Sequence, residues 1–283
     1  MNCVSLKKPD ISLSPCSNAI NHMTLLRLEK YYKDTDISQP EKLTLRACNA
    51  LLGKKPKNAA ISSKNSKMPG YVFSTSAFFC KTGSKLHKVK GSVCESCYAL
   101  NGNYRYPAVM EGMALNSIGI SFYESKEDYT VWTVALSELI RRRCILKEIK
   151  DKQGNVIAIE DNRWFRFHDS GDIQSALHME AINQIAINNP NVKFWIPTRE
   201  GKFVKDFMKT NKVASNLCIR ISGHMVGKKA SDFGTGLPTS TVDYKASEHK
   251  CVAPLQGGSC DGEIMNCRNC WDSSIPNVDY PQH

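Results

Sequence analysis

The sequence contains no long apolar run. Nowhere in its 283 residues does a stretch approach the ~18 consecutive apolar residues of a membrane-spanning helix. The first residues, MNCVSLKKPDISLSPC, are basic but carry no apolar segment behind that charge, as a secretory signal peptide would. We therefore expect a cytoplasmic protein with no membrane partner.

Glycine-rich phosphate-binding loops are also missing. Neither G-x-x-x-x-G-K-[ST] nor G-x-G-x-x-G follows a predicted strand. This absence argues against nucleotide-driven chemistry and against redox chemistry with a dinucleotide. Internal repeats and low-complexity tracts are absent as well, so the chain is not a repeat protein.

Two features of the composition call for an explanation. The chain has 38 Lys and Arg against 27 Asp and Glu, a formal net charge of +11, and it has 12 Cys. A basic surface favours a polyanionic partner such as nucleic acid. In a reducing cytoplasm so many cysteines are more readily explained by metal binding than by disulfides.

Lysines are concentrated in residues 53–70, among Ser, Asn and Pro, a composition typical of a loop or a basic N-terminal arm. The segment is either a solvated linker or a phosphate-contacting loop. Under the second interpretation the nucleic-acid-binding residues are Lys54, Lys55 and Lys57, together with Arg141, Arg142 and Arg143 on a predicted helix.

The middle of the chain alternates predicted helices and strands. Apolar spacing predicts a long amphipathic helix over 131–149, and three strands follow at 164–167, 192–196 and 217–221. Strands that alternate with helices pair in parallel, so we expect an α/β fold. A (β/α) TIM-like barrel, regular or irregular, is our first choice of architecture, and an open doubly wound sheet is the second. We expect residues 1–245 to form this catalytic domain and 246–283 to form a small Cys-rich metal-binding module.

Polar side chains follow each of the three strands. They are His168, Asp169 and Asp172, then Thr198, Arg199 and Glu200, then Ser222 and His224. The carboxyl ends of parallel strands carry the active sites of such folds, because their loops meet at one mouth. Each residue also has a structural alternative: Asp172 can cap a helix, Arg199 can form a surface ion pair, and His224 can be a structural histidine.

The strongest single pattern is Cys251-x8-Cys260-x6-Cys267-x2-Cys270. Four cysteines that end in a C-x-x-C pair are typical of a closed tetrahedral zinc site. Disulfides and an iron–sulfur cluster are the alternatives.

A second group of cysteines consists of Cys80, Cys94 and Cys97. Three cysteines leave a fourth ligand position for His87, another residue or a bound ligand. Zinc and a [4Fe–4S] cluster both fit this spacing, as do reduced cysteines near a loop. Cys144 and Cys218 fall on apolar faces and are expected in the core.

The motifs at 94–104 (CESCYALNGNY), 166–172 (RFHDSGD) and Thr198-Arg199 resemble the phage gene product 88 domain, over most of residues 70–272. The resemblance includes the C-terminal Cys-x-x-Cys-Trp. It implies no particular activity. For a phage-encoded protein the expected compartment is the host cytoplasm.

A second resemblance implies chemistry. Residues 168–174 (HDSGDIQ) are similar to the D-S-G-G-F-Q segment of tRNA-guanine transglycosylases, and 197–202 (PTREGK) to their P-T-R-x-A-R segment. Those enzymes are zinc-bearing TIM barrels that exchange guanine for a 7-deazaguanine through a glycosyl–aspartate intermediate, and phages carry DNA-directed relatives, the DpdA proteins. The family's nucleophile position is Lys193 here, so the same chemistry would need Asp169 or Asp172, or another carboxylate such as Asp232 or Asp243, in that role.

We therefore expect an enzyme that exchanges guanine in DNA, rather than tRNA, for a 7-deazaguanine base such as preQ0. In this hypothesis the catalytic residues are Asp169, Asp172 and His168, and the substrate-binding residues are Ser170, Gly171, Thr198, Arg199 and His224. Zinc is the expected cofactor. The alternatives are an iron–sulfur or metal-dependent enzyme built on Cys80, Cys94 and Cys97, and a non-catalytic zinc-containing DNA-binding protein.

Overall fold

The computed structural model describes residues 18–55, 58–62 and 67–282. Its α-helices are α1 (Asn18–Asp34), α2 (Leu45–Leu51), α3 (Lys81–Leu86), α4 (Pro107–Lys126), α5 (Thr130–Arg143), α6 (Ala176–Asn188) and α7 (Gly201–Phe207). Its strands are β1 (Tyr71–Phe73), β2 (Leu146–Lys150), β3 (Val156–Asp161), β4 (Trp164–Phe167), β5 (Lys193–Thr198), β6 (Leu217–Ser222), β7 (Thr239–Val242) and β8 (Asn277–Tyr280). Within these ranges no helix is both long and apolar enough to cross a membrane.

The main sheet is parallel throughout. It has six strands in the order β1-β4-β5-β6-β7-β8, with every neighbouring pair parallel. The predicted α/β class and the three central strands are confirmed. A closed eight-stranded barrel is not shown, because β1 and β8 are the two ends of this order. The order also contains no reversal, which distinguishes it from the doubly wound alternative.

The two faces of the sheet are covered differently. Phe165, Phe167 and Phe194 face a large apolar core that includes residues of helices α2, α4, α5 and α6. Trp195, on the opposite face, packs with Trp271 and Cys270 of the C-terminal segment. The side chains alternate along each strand, so one sheet supports a helical layer and a Cys-rich layer.

The helix expected over 131–149 ends early. Helix α5 stops at Arg143, and residues 146–150 instead pair in antiparallel fashion with 156–161 as the β2–β3 hairpin. Asp151 Oδ1 accepts hydrogen bonds from the backbone N–H groups of Gln153 and Asn155, which fixes the hairpin turn. The apolar residues that extended the predicted stripe are exposed: Ile145 by 46%, Leu146 by 49% and Ile149 by 40%. No core residue covers these side chains. The spacing of apolar residues was therefore not sufficient to distinguish a helix from a strand in this segment.

The expected division at residue 245 falls inside the main sheet. Strand β8, at residues 277–280, pairs with β7 over four residues, from Thr239 with Asn277 to Val242 with Tyr280. The Cys-rich segment is therefore joined to the sheet through backbone hydrogen bonds as well as through side chains.

Arg220 on β6 fixes that segment to the sheet. Its side chain is completely buried, with 0% exposed, and it donates five hydrogen bonds, all to backbone carbonyls. The acceptors are the carbonyl oxygens of Thr239 at 3.2 Å, Asn269 at 2.7 Å, Cys270 at 3.1 Å, Asp272 at 2.6 Å and Ile275 at 3.0 Å. A guanidinium with every donor satisfied can be buried at a much lower cost than an unpaired charge.

We expect Arg220→Met to lower the free energy of unfolding by about 3 kcal/mol or more, because several buried carbonyls would lose their donors at once. Urea unfolding followed by circular dichroism measures the change. Arg163→Met is the control, since Arg163 forms a surface ion pair with Asp161 and is 38% exposed. We expect the control to lose less than about 1 kcal/mol. Equal losses in the two variants would contradict the role given to Arg220.

Candidate functional site

The loops after β4, β5 and β6 meet at the carboxyl edge of the sheet. The carboxylate of Asp172 accepts a hydrogen bond from Thr198 Oγ1 at 2.6 Å and another from the backbone N–H of Arg199 at 2.9 Å. The ring of His224 lies 3.4 Å from the carbonyl oxygen of Arg199, measured from Nε2. The structure thus brings together strand-end residues that are 25 to 52 positions apart in the sequence.

Asp172 links two of these loops from a buried position. Burial raises the pKa of its carboxyl to about 6, while the hydrogen bonds from Thr198 and Arg199 act in the opposite direction. Its Oδ1 also accepts from the backbone N–H of Ile173 at 2.8 Å. Both carboxylate oxygens are therefore engaged, and Asp172 holds the loops in place.

Gly171 allows the β4 loop to approach β1. Its φ is +83°, and a Cβ at this position would lie 1.8 Å from Thr75 Oγ1, closer than any real contact. The backbone N–H of Thr75 donates to the carbonyl of Ser170 at 3.1 Å. Glycine is required here by close packing and by the left-handed backbone, which is a structural role.

Asp169 is half-buried and is held by aromatic hydroxyls. Tyr104 donates to Asp169 Oδ2 at 3.1 Å, Ser74 donates to Oδ1, and Tyr98 donates to the backbone carbonyl. Burial, followed by the negative charge of Asp169, raises the pKa of Tyr104. The guanidinium of Arg166 lies 4.5 Å from the ring centroid of Trp195. Its Nη2 donates to the hydroxyl of Tyr98 at 3.5 Å, so a positive charge lies next to these tyrosines.

His168 lies on the helix-covered side, away from the mouth. Its φ is +56°, and its ring contacts Phe73, Phe167 and His178. Burial lowers the pKa of His168 to about 3, so the ring is neutral at physiological pH. The expected proton-shuttle role is wrong for this geometry, because the ring is enclosed by core side chains.

The segment that carries Cys80 is tied to the same edge of the sheet. Cys80 directly precedes α3, and Glu200 accepts hydrogen bonds from the N–H of Thr82 at 2.6 Å and from its hydroxyl at 2.8 Å. A carboxylate on the free N–H groups of a helix start is a stabilising arrangement. The strand-end residue Glu200 therefore places Cys80 at the mouth.

Two of the three cysteines, Cys80 and Cys94, lie near each other, and the charges of Asp172 and Arg199 act on both. A Cβ built on Gly83 would lie 3.6 Å from Cys80 Sγ and 3.7 Å from Cys94 Sγ, so the two sulfurs are no farther apart than the sum of these distances. Burial raises the pKa of both thiols. The nearby charge of Cys97 raises both values further, whereas Arg199 lowers them.

One of the two ring nitrogens of His87 is already paired, so the other is the atom that could bind a metal. Its Nδ1 lies 2.8 Å from the carbonyl oxygen of Cys94, and its backbone N–H donates to Gly83. This pairing fixes the ring against the cysteine loop and leaves Nε2 as its remaining ligand atom.

The four C-terminal cysteines, Cys251, Cys260, Cys267 and Cys270, line one small pocket. All four are free thiols, and so are the other cysteines in the described residues. Cys270 Sγ lies 3.0 Å from the hydroxyl of Tyr280, and burial raises the pKa of this thiol to about 12. Within residues 18–55, 58–62 and 67–282, no group of three or more Cys, His, Asp or Glu side chains is arranged so that it could hold a metal ion.

The expected phosphate-binding residues are scattered and mostly engaged. Lys54 is only 2% exposed and donates to the carbonyl of Gly112, and burial lowers its pKa to about 7. A phosphate contact by Lys54 is therefore wrong. Lys55 pairs with Glu111, and Lys57 lies outside the described residues.

The arginines at the end of α5 share one buried acid. Arg141 and Arg142 form ion pairs with Glu138 at 2.7 and 2.5 Å, and the Glu138 side chain is only 4% exposed. Arg143 is exposed. Since α5 ends at the hairpin that precedes β4, these arginines lie toward the amino end of the sheet and not toward the mouth.

Sequence reasoning missed the link between the cysteine group and the strand ends. Glu200, Tyr104 and Arg166 make that link, and their partners lie in other segments of the chain, so no local pattern points to the contacts. Arg220 was missed as well, although a charged residue inside the apolar strand at 217–222 is a usable signal.

A family model described as Gene product 88 matches residues 43–272. The matched range contains both cysteine groups and all three strand-end loops. No curated protein and no solved structure gives a significant match to the chain.

We expect His168→Phe to make the protein less sensitive to acid. The unfolded chain takes up a proton near the ordinary histidine pKa of 6.5, but folded His168 does so only near about 3. The stability that the neutral ring contributes is complete above pH 6.5 and is lost as the pH falls toward 3. The free energy of unfolding should therefore fall less in the variant than in the wild type between pH 6.5 and 4.5, by up to about 3 kcal/mol. Urea unfolding at these pH values gives the difference, and identical slopes would contradict it.

Proposed function

The chain belongs to the Gene product 88 family, and from the geometry of its site we propose that it is an enzyme whose metal centre is held by Cys80, Cys94 and Cys97. The observation that carries this proposal is that Cys80 and Cys94 lie near each other at the carboxyl edge of a parallel sheet, where the charges of Cys97, Arg199 and Asp172 act on both thiols. That edge is where α/β enzymes place their reacting groups. A group of cysteines needed only for packing would have no reason to lie among strand-end polar residues.

The ligand set favours an iron–sulfur cluster. Three thiolates are soft ligands that suit zinc or an iron–sulfur cluster. The nearest carboxylates are already engaged, since Asp172 accepts from Thr198 and Arg199 while Glu200 accepts from Thr82. With these carboxylates engaged, we propose a [4Fe–4S] cluster whose fourth iron stays open to substrate, and His87 Nε2 is the alternative ligand that the cysteine loop offers.

Such a cluster, when bound, supplies one-electron chemistry or Lewis acidity at its open iron. The protein's own contribution is to orient the ligand of that iron. Arg199 is close enough to Cys80 and Cys94 for its charge to lower the pKa of both thiols, and its Nε has no hydrogen-bond partner in the described part of the chain. A planar guanidinium in this position suits a carboxylate or a phosphate.

We propose a separate structural zinc for the C-terminal cysteines. Supporting it are the pocket that Cys251, Cys260, Cys267 and Cys270 line together and the spacing of these cysteines. Arg220, which donates to the carbonyl of Cys270, contributes a nearby positive charge that would balance a tetrathiolate site. Metal binding would then add to the free energy of folding of this segment.

Protein purified without oxygen should contain iron and sulfide, absorb near ~400 nm and carry about one zinc per chain. Alanine substitution of Cys80, Cys94 or Cys97 should remove the iron and the colour but leave the zinc. Serine substitution of Cys260 should remove the zinc and leave the colour. Elemental analysis and absorption spectra of the same samples measure both metals.

Cys144→Ala is the matched control for these variants, because Cys144 is a buried thiol far from either group in the sequence and is 4% exposed. It should keep both metals. Colourless wild-type protein with zinc at both sites would contradict the iron–sulfur proposal, and loss of both metals in every variant would show only general unfolding.

Base exchange on DNA is a second candidate, favoured by one observation. The Asp169 carboxylate lies at the mouth, and Ser74 and Tyr104 orient it, as a nucleophile requires. In this alternative the carboxylate attacks C1′ of a guanosine, guanine departs, and an incoming 7-deazaguanine displaces the carboxylate. His168 takes no part in this version, since it is enclosed in the core.

Under this candidate, wild-type protein should incorporate labelled preQ0 into DNA, and Asp169→Asn should abolish the incorporation because an amide is not a nucleophile. Asp151→Asn is the control, since Asp151 only forms the hairpin turn. Scintillation counting of precipitated DNA provides the measurement. If the folded wild type transfers no label, base exchange should be abandoned.

A further inference from the structure

A group of lysines surrounds the mouth of the site. Six exposed lysines lie on three segments that border the cysteines, and we refer to them as the lysine rim. Its members are Lys85 in the last turn of α3, Lys88 and Lys90 between α3 and Cys94, Lys202 at the start of α7, and Lys228 and Lys229 on the loop after β6. None of these positions belongs to the basic residues that the sequence pattern had selected.

The fold brings these segments together by direct backbone contacts. The N–H of Val93 donates to the carbonyl of His224 at 2.9 Å, and the N–H of Val226 donates to the carbonyl of Gly91 at 3.0 Å. Lys90 is therefore next to a residue that contacts the β6 loop, and Lys228 is two positions beyond that contact. The start of α7 is held nearby through Lys81, whose ammonium lies 5.2 Å from the ring centroid of Phe203.

The acidic groups near the rim do not neutralise it. Asp206 on α7 pairs with Lys209 at 2.7 Å. Asp232 accepts from the backbone N–H groups of Gly234 and Gly236, and Glu95 accepts from that of Gly91. Glu200 is buried against Thr82. No ion pair between described residues includes a rim lysine. Lys202 and Lys229 act on Asp206 and Asp232 only at longer range. With the three acids Asp206, Asp232 and Glu95 against six lysines, the rim keeps a net positive charge.

Two exposed aromatic rings lie on the segment that follows Cys97. Tyr98 follows Cys97 directly and is 43% exposed, although its hydroxyl bonds to the carbonyl of Asp169. Tyr106 is 60% exposed and stands two positions after Tyr104, which contacts the Asp169 carboxylate. Exposed aromatic rings next to cationic side chains are the combination that binds single-stranded nucleic acid, because the bases stack and the phosphates are neutralised.

We propose that the lysine rim binds the phosphate backbone of a single-stranded nucleic acid and directs it across the mouth formed by Cys80, Cys94, Cys97 and Arg199. This inference rests on the proposed function insofar as it supplies that site with a substrate class. Lysines carry point charges without the planar fork that reads base edges, so the rim recognises phosphates and not sequence. An acidic protein would use the same charges but would gain nothing from the exposed tyrosines.

The test is binding of a fluorescein-labelled 20-nucleotide DNA strand, measured by anisotropy over a range of salt concentrations. One variant combines Lys88→Gln, Lys90→Gln, Lys228→Gln and Lys229→Gln. It should bind at least about tenfold more weakly than the wild type at low salt, and the slope of log K against log salt should fall by about 3, because four phosphate contacts would be lost.

The matched control removes the same charge elsewhere. It combines Lys30→Gln, Lys42→Gln, Lys147→Gln and Lys152→Gln, four exposed lysines on α1, before α2 and on the β2–β3 hairpin. We expect its affinity to stay within about threefold of the wild type, since charges farther than a Debye length from the bound strand are screened. If the two variants lost the same amount of affinity for DNA, net charge alone would account for the binding, and the proposal for the lysine rim would be wrong.

Two further measurements separate nucleic acid from other polyanions and this inference from the metal proposal. Tyr106→Leu should weaken binding by about fivefold or more if a base stacks there, whereas polyglutamate that competes as well as DNA at equal charge would overturn the nucleic acid assignment. The variant without the four rim lysines should keep the iron of the wild type while it loses affinity for DNA. Iron content and DNA binding measured on the same samples therefore test the two proposals separately.

Discussion

The buried guanidinium of Arg220 is the interaction on which the rest of the structure depends. It leaves the sheet on the face opposite the helices and donates to the carbonyls of Asn269, Cys270, Asp272 and Ile275. A buried charge must have all its donors satisfied, and only the C-terminal segment in its folded form provides acceptors in these positions. The Cys-x-x-Cys pair, Trp271 and strand β8 are therefore arranged around one side chain.

The carboxyl edge of the same sheet shows how residues far apart in the sequence are brought into one site. Glu200 at the end of β5 holds the start of α3, which places Cys80 beside Asp172, and the loop with Cys94 and Cys97 contacts the segment after β6. Each contact pairs a backbone N–H group that would otherwise lack a partner. The hydrogen bonds that position the cysteines therefore also satisfy these backbone donors. The same requirement explains why polar residues gather at these strand ends, where Asp172 links two loops by accepting hydrogen bonds from Thr198 and Arg199.

Much of the architecture could be predicted, and the errors have identifiable causes. The strands at 164–167, 193–198 and 217–222 stand out as short apolar runs that end in polar turns, and the structure confirms them. The helix prediction failed after Arg143, because apolar spacing does not distinguish an exposed hairpin from a buried helix face. His168 and Lys54 were misplaced for another reason: a polar residue next to a turn was assumed to face solvent, whereas both are buried, His168 among aromatic rings and Lys54 against the carbonyl of Gly112.

The sequence by itself determined the α/β class, the parallel pairing of the central strands and the grouping of seven cysteines into a set of four and a set of three. These properties follow from the periodicity of apolar residues and the spacing of cysteines, which can be read from residues close together in the chain. Only the tertiary structure decided that the three-cysteine group lies at the carboxyl ends of the strands, that Arg220 is enclosed by carbonyls, and that lysines from three segments surround one mouth. Those features depend on contacts between residues far apart in the chain. Packing and the pairing of backbone groups determine such contacts, and a local sequence pattern does not reveal them.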